Sequence, residues 1–302
     1  MSIECIGVIG LGEVGRVLVE DLLQMPGICL RVWDYQFGNA GSVAARNLAE
    51  LEPNQRVCAA EGASSAAQGC QLLLSAVTAD QAFSAAGSIL PGLEQGALFV
   101  DLNSVSPGTK KVTSDLVEAA GGRFVEASVM SPIMPLRLAA PVLLSGSHAR
   151  ELESIGPQLG FSNLRTVSDE LGVASATKMC RSVIVKGMEA LVTESLLAAR
   201  HYGVEDTVLA SLDNLFPGSD WPHQARYLIC RSLEHGERRA SEMREVARTI
   251  EEAGYSPWMS EGCVKRQAWA PQFSSALDED SLDDMLDAIR KQSIMQEIER
   301  TQ

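Results

Sequence analysis

The order of apolar and polar positions predicts alternating strands and helices over the first half of the chain. Residues 5–9 form a short apolar run that ends in glycine, and apolar residues then recur at helical spacing over 14–25 until a Pro-Gly pair interrupts them. The pattern continues with predicted strands at 28–33, 57–60, 72–77, 97–102, 123–127 and 141–145, and with predicted helices at 44–51 and 109–120. Continuously apolar strands are typical of a parallel sheet that helices cover on both faces.

The pattern changes after residue 167. Residues 174–202 contain no proline and carry apolar side chains at helical spacing, so they predict a single helix roughly 40 Å long. Further helices are predicted to about residue 300, separated by proline-containing turns at 216–218, 255–257 and 270–271. We therefore expect two domains, an α/β domain over 1–167 and an all-α domain over 168–302.

A glycine-rich turn joins the first predicted strand to the first predicted helix. It has the pattern G-x-G-x-x-G, and its candidate cofactor contacts are Gly10, Leu11, Gly12, Glu13, Val14 and Gly15. Gly10 permits a tight turn, Gly12 lets the backbone approach a pyrophosphate, and Gly15 lets the helix pack closely on the strand. The helix N-terminus then presents N–H groups and partial positive charge to the phosphates. This context predicts a Rossmann fold, a doubly wound parallel sheet that binds a dinucleotide.

An acidic residue ends the second predicted strand at the distance expected of a ribose ligand. Asp34 follows Trp33, and no lysine or arginine occurs between it and Arg46. A carboxylate in this position accepts hydrogen bonds from the ribose hydroxyls and repels a 2′-phosphate. The sequence therefore favours NAD as the cofactor, with NADP as the alternative.

Composition and charge exclude several classes of partner. The chain has 302 residues and a formal net charge of −14, which opposes binding to nucleic acid or to an anionic membrane. Its seven cysteines are irregularly spaced without a C-x-x-C pair, and its four histidines are scattered, so we expect reduced thiols and no metal site. No basic-then-apolar leader and no apolar run of ~18 residues is present, and we expect a cytoplasmic protein.

A lysine near the start of the long predicted helix is a candidate catalytic group. In the stretch 172–182, Ser175, Lys178 and Ser182 share one helical face, and Arg181 is one turn from the lysine. A partly buried lysine beside another cation has its charged form disfavoured, so it can exchange a proton with a substrate hydroxyl. From these residues alone, a lysine whose amine extends into solvent is the alternative interpretation.

Four stretches in a fixed order resemble the β-hydroxyacid dehydrogenases, the group of 3-hydroxyisobutyrate dehydrogenase and 6-phosphogluconate dehydrogenase. They are 10–15 (GLGEVG), 101–107 (DLNSVSP), 126–132 (EASVMSP) and 172–182 (GVASATKMCRS). The resemblance implies a Rossmann domain joined to an all-helical domain, a dimer or higher oligomer, and Lys178 as general acid/base. It also implies three further candidate cofactor contacts, Val77, Thr78 and Asn103.

The chain departs from the family pattern at two places. Members commonly have Ser-Gly-Gly in the substrate loop, where residues 130–132 are Met-Ser-Pro, and they often have asparagine where this chain has Ser182. Residues 235–243 (HGERRASEM) resemble a poorly characterised branch with a 6-phosphogluconate dehydrogenase-like C-terminal domain. The fold and the reaction type are therefore expected to transfer from the family, and the substrate is not.

These features predict reversible hydride transfer between a nicotinamide cofactor and a small anionic hydroxy acid or sugar acid. The candidate substrate contacts are Ser104, Ser131, Arg181, Ser182 and Arg239. The arginines are candidates because a guanidinium can bind a carboxylate or phosphate through two hydrogen bonds, although an ion pair within the protein is the alternative for each. An oxidative decarboxylase and a catalytically idle NAD-binding protein remain alternative functions. We expect a homodimer formed through the long helix, whose apolar stripe is large for a monomer.

Overall fold

One eight-stranded sheet organises the first part of the chain. In the computed structural model, which describes residues 3–51, 53–214 and 216–301, the strands are β1 Cys5–Ile9, β2 Cys29–Trp33, β3 Val57–Ala59, β4 Leu72–Ser75, β5 Leu98–Asp101, β6 Arg123–Val129, β7 Val142–Ser145 and β8 Leu164–Ser168. Their order across the sheet is β3-β2-β1-β4-β5-β6-β7-β8. The chain winds outward from β1 to β3 and then restarts at β4 on the other side of β1. This reversal confirms the doubly wound topology, and it leaves a crevice at the carboxyl ends of β1 and β4.

The apolar pattern predicted a parallel sheet, but one strand pair of the sheet is antiparallel. β1 to β6 pair in parallel, but β7 runs antiparallel to β6 and parallel to β8. Between β6 and β7 the chain forms only a short 3-10 turn, Arg137–Ala139, whereas a parallel connection needs a longer crossover. The strand β8 was not predicted, because its sequence Leu-Arg-Thr-Val-Ser is only partly buried and has no continuous apolar run.

Helices cover both faces of this sheet. They are α1 Glu13–Leu22, α2 Val43–Leu51, α3 Ala63–Ala67, α4 Ala82–Ile89, α5 Pro107–Ala119 and α6 Ala149–Ile155. Successive side chains of β4 show that both faces are buried: Leu72 and Leu74 belong to one apolar cluster, and Leu73 belongs to another. The helices α3, α4 and α6 were not predicted, since each is short and two of them are rich in alanine, which blurs helical periodicity.

The second part of the chain is helical, as predicted. Its helices are α7 Val173–Tyr202, α8 Glu205–Ser211, α9 Trp221–Glu252, α10 Trp258–Trp269 and α11 Leu282–Thr301. Their core includes Ile229, Phe273 and Leu286, all buried. The chain divides into two compact units, Met1–Met179 and Cys180–Gln302. The predicted boundary at residue 167 lies at the end of β8, whereas this division falls within α7, whose first turns pack with the sheet.

The state of the cysteines and the apolar character of the helices complete the description of the fold. All seven cysteines are free thiols. Among the residues that the structure describes, no helix combines the length and the apolar character needed to cross a membrane.

Candidate functional site

The glycine-rich turn has the shape of a phosphate cradle. Gly10 adopts a φ of +94°, and a Cβ atom there would lie 2.4 Å from the carbonyl oxygen of Ala76. A Cβ on Gly15 would lie 1.9 Å from the carbonyl oxygen of Gly10, so only glycine lets α1 approach the turn this closely. By contrast, a Cβ on Gly12 would meet no atom within 4 Å. Open space above Gly12, at the N-terminus of α1, fits a bound pyrophosphate.

Asp34 links the end of β2 to the glycine-rich turn. Its Oδ2 accepts a hydrogen bond from the Leu11 amide at 2.8 Å, and its Oδ1 accepts one from the Gln36 amide at 2.9 Å. Each carboxylate oxygen keeps a further acceptor site, so the group remains able to bind ribose hydroxyls. Asn47, which the sequence analysis did not single out, also holds the turn, because its amide donates to the Leu11 carbonyl at 2.8 Å.

Asn103 holds the loop after β4, which carries Val77 and Thr78 and is called here the candidate cofactor loop. Its Oδ1 accepts a hydrogen bond from the Val77 amide at 2.7 Å, and its Nδ2 donates to Ser75 Oγ at 2.9 Å. The side chain is buried, so this amide fixes the loop that carries Val77 and Thr78. Asn103 was predicted as a cofactor contact, and the structure gives its side chain protein partners within the loop.

A fully buried ion pair fixes the loop that follows β5. Lys110 Nζ lies 3.1 Å from Asp101 Oδ1 and donates a hydrogen bond to the Asp101 carbonyl oxygen at 2.8 Å. The same Oδ1 accepts from the Asn103 amide at 2.9 Å. Neither charged side chain is exposed. Removing one partner would leave a buried charge uncompensated, so the pair ties α5 firmly to the end of β5. Ser104, a candidate substrate contact, is half-buried on this loop.

Four buried polar residues occupy one row across the sheet. Ser75 of β4 pairs in register with Asp101 of β5, Asp101 with Glu126 of β6, and Glu126 with Ser145 of β7. None of the four is exposed. The sequence pattern did not predict this polar row as a functional feature. The available signal was a polar side chain at the end of an apolar strand or, for Glu126, in the middle of one, which is costly to bury unless the fold supplies partners.

Glu126 connects this polar row to the helix that carries Lys178. Its Oε2 accepts hydrogen bonds from Ser145 Oγ at 2.7 Å and from the Gly172 amide at 2.6 Å, and its Oε1 accepts one from the Ser175 amide. The helix α7 therefore starts on side chains of β6 and β7. Lys178, one turn further along α7, is half-buried.

The loop between β6 and β7 is fastened to α1. Ser131 is half-buried there, and its hydroxyl donates to the Pro132 carbonyl at 3.0 Å. Arg137, which sequence reasoning missed, has a φ of +53° and pairs with Glu20 at 2.8 Å and with Asp21 at 2.6 Å. Hydrogen bonds to Asp21 and Glu20 raise the pKa of the Arg137 guanidinium. Burial opposes ionisation of Glu20, but its hydrogen bonds from arginines outweigh burial and lower its pKa.

The remaining candidate residues belong to the second unit. Arg181 is exposed, and Ser182 is buried. Arg239 is buried and donates to Glu189, which also accepts from Gln267 Nε2 at 3.1 Å. Burial raises the pKa of Glu189, although Arg239 opposes this rise. The ion pair that the sequence left open for Arg239 is therefore present, and its guanidinium already has a carboxylate partner.

Family models match most of the chain. Residues 5–160 match the NAD binding domain of 6-phosphogluconate dehydrogenase. Residues 199–270 match a domain of unknown function, DUF1932.

Individual relatives agree with these matches. A conserved hypothetical protein from Sinorhizobium meliloti is 32% identical with a TM-score of 0.73, covering 96% of this chain and 97% of that one. A conserved protein of unknown function, described as structurally similar to 3-hydroxyacid dehydrogenases, is 28% identical with a TM-score of 0.66, covering 89% and 97%. Human mitochondrial 3-hydroxyisobutyrate dehydrogenase is 23% identical over 72% of this chain, and the match spans 63% of the human protein's length.

Two glycine substitutions should separate cofactor binding from folding. Gly12 has a φ of −75° and open space at its Cβ position, so Gly12→Ala should change the free energy of unfolding by less than about 0.5 kcal/mol. It should nevertheless weaken NAD binding by roughly tenfold or more, because the methyl group enters the phosphate cradle. Gly15→Ala should destabilise the fold by about 1–3 kcal/mol through its backbone clash. Titration calorimetry with NAD and urea denaturation measure both; unchanged NAD affinity in Gly12→Ala would contradict the cradle.

Proposed function

Because this chain belongs to the β-hydroxyacid dehydrogenase superfamily, we propose that it catalyses reversible hydride transfer between NAD and a small hydroxy acid, with Lys178 as general acid/base. The observation that carries this proposal is the attachment of α7 to the sheet. The helix that bears Lys178 starts on Glu126 of β6, in the same polar row that supports the candidate cofactor loop.

The described residues fit a nicotinamide dinucleotide. The space above Gly12 would take the pyrophosphate, Asp34 would accept hydrogen bonds from the adenosine ribose, and the loop held by Asn103 would border the nicotinamide. When bound, the dinucleotide supplies the hydride chemistry. The protein's own contribution is to orient the substrate and to move its hydroxyl proton.

Lys178 would perform the proton transfer. In the oxidative direction its unprotonated Nζ takes the proton from the substrate hydroxyl as the C–H bond breaks, and in the reductive direction the ammonium returns it. Ser104 and Ser131, on the loops after β5 and β6, would hydrogen-bond the substrate, with Ser182 beside the lysine on α7. A cationic side chain would bind the substrate's anionic group, and exposed Arg181 suits this role better than Arg239, which is already paired with Glu189.

A hydroxy-acid panel with lysine variants tests the activity. We expect NADH formation with at least one small hydroxy acid, and Lys178→Ala should lower kcat by about 10²–10⁴-fold because the general base is lost. Lys111→Ala, which removes an exposed lysine of the same unit, is the control and should retain full activity. An active Lys178→Ala would reject the lysine's role, and NAD binding without turnover on any substrate would indicate an idle binder. Release of carbon dioxide would instead identify a decarboxylase.

The preference for NAD over NADP should depend on Asp34. Replacing the carboxylate with an amide in Asp34→Asn removes the charge that repels a 2′-phosphate but keeps an acceptor for the Leu11 amide. The ratio of kcat/KM for NAD to that for NADP should therefore fall by roughly tenfold, about 1.4 kcal/mol. The control Asp115→Asn removes an exposed carboxylate of α5, outside the glycine-rich turn, and should leave this ratio unchanged. A ratio that is identical in Asp34→Asn and the parent would show that discrimination arises elsewhere.

We also propose that the protein is a cytoplasmic homodimer that associates through α7. Its free cysteines support the location, which cell fractionation would test.

The side chains of Ile184 and Leu191, two helical turns apart on α7, are 66% and 55% exposed, which supports a partner subunit on that face. Leu191→Asp should shift the sedimentation coefficient to that of a monomer at micromolar concentration. Tyr255→Asp, at another exposed apolar residue, is the control. A parent protein that sediments as a monomer would refute the dimer.

A further inference from the structure

The first turn of α7 starts where water cannot satisfy its backbone. A helix leaves its first four N–H groups without intrahelical partners, and buried donors without partners are costly. Gly172, Ala174 and Ser175 are all buried. Gly172 also adopts a φ of +96°, which turns the chain into the helix. Side chains of the sheet must therefore supply the acceptors for this turn.

Two neighbouring side chains supply them. Glu126 accepts from the Gly172 amide at 2.6 Å and from the Ser175 amide, while Ser145 Oγ accepts from the Ala174 amide at 3.2 Å. Ser145 in turn donates to Glu126 at 2.7 Å, and the two residues are paired in register between β6 and β7. A carboxylate is a stronger acceptor than a neutral oxygen here, because it also opposes the positive end of the helix dipole.

The anchored turn and Lys178 share one side of the helix. Lys178 follows Ser175 by three residues, a spacing that places two side chains on the same face. Residues Val173, Thr177 and Cys180 of the same turns are exposed, so the sheet-facing side, which also includes buried Met179, holds this segment in place. Because a helical turn moves as a unit, displacement at Ser175 displaces the lysine as well.

We propose that Glu126 is a positioning residue for the reaction: its buried carboxylate fixes the position and rotation of the first turns of α7, up to Met179, and thereby the place of the Lys178 amine. The proposal rests on the proposed role of Lys178. It assigns to Glu126 no contact with substrate or cofactor. Its effect on catalysis arises from geometry, since a catalytic group displaced by about 1 Å can lose roughly 10²-fold in rate.

The test compares Glu126→Gln with the parent in two independent measurements. The amide keeps the size of the side chain but can accept through one oxygen only, and its NH₂ group opposes a backbone donor. We expect kcat to fall by about 10–100-fold while KM for NAD stays within about twofold, since the cofactor cradle is untouched. Hydrogen exchange of a peptide covering residues 172–179 should become faster in the same variant.

Controls separate positioning from general damage. Glu151→Gln removes a partly exposed carboxylate of α6, which pairs with Arg123 of β6 at 2.5 Å, and it should change neither measurement. Glu126→Asp retains the charge with a shorter reach and should recover part of the lost kcat. If Glu126→Gln does not fold, Ser145→Ala removes the second acceptor and should produce a smaller change in the same direction.

The outcomes are distinct from those that test the proposed function. Parental kcat or parental exchange in Glu126→Gln, or in Ser145→Ala where that variant replaces it, overturns the positioning role. An equal loss of NAD affinity and kcat also overturns it. If the parent protein shows no turnover with any hydroxy acid, the proposed function fails, while faster exchange at 172–179 in the variant still supports Glu126 as the anchor of the helix.

Discussion

The buried start of α7 is the constraint on which the arrangement of the site depends. Its amides must find acceptors inside the protein, and Glu126 and Ser145 provide them from adjacent strands. This requirement explains why a charged side chain lies fully buried in the middle of β6, where an apolar residue would be less costly. It also joins the first turn of α7 to the hydrogen-bond network of the sheet, so the turns that carry Lys178 start at a defined place.

Other side chains of the polar row hold the loop that follows β5 at the carboxyl edge of the sheet. Ser75 accepts from Asn103, Asp101 holds both the Asn103 amide and Lys110, and Glu126 holds α7. The strands β4, β5 and β6 thus each contribute one buried polar group. Ser75 and Asp101 fix the segment that follows β5, and Glu126 fixes the start of α7. Buried ionic groups contribute little net stability compared with apolar packing. They are costly to bury with any other set of partners, so they favour one arrangement of the chain over others. We infer that the row maintains the relative placement of the loops more than it stabilises the fold.

Local and non-local features differ in how far the sequence predicts them. The glycine-rich turn was predictable because the steric role of each glycine depends on its immediate neighbours, and the structure shows the expected clash at Gly15 and open space at Gly12. The direction of β7 was not, since an apolar run is the same in either direction. The amides of α7's first turn that bind Glu126, and the Glu189 partner of Arg239, lie about 50 residues away along the chain, so register and helix packing, which local pattern does not encode, determine them.

The loop between β6 and β7, the candidate substrate loop, differs from the pattern of the related enzymes. Where related enzymes commonly have Ser-Gly-Gly, this loop has Met-Ser-Pro, and Arg137 pairs it with Glu20 and Asp21 of α1, the helix that begins at the phosphate cradle. Glycines would leave such a loop free to adapt to a ligand, whereas proline and a two-carboxylate ion pair restrict it before any ligand binds. A restricted loop loses less conformational entropy on binding, and it discriminates more strongly by shape. If this loop contacts the substrate as proposed, selectivity is expected to come from its preformed shape, while the proposed proton transfer depends on the separately anchored first turns of α7.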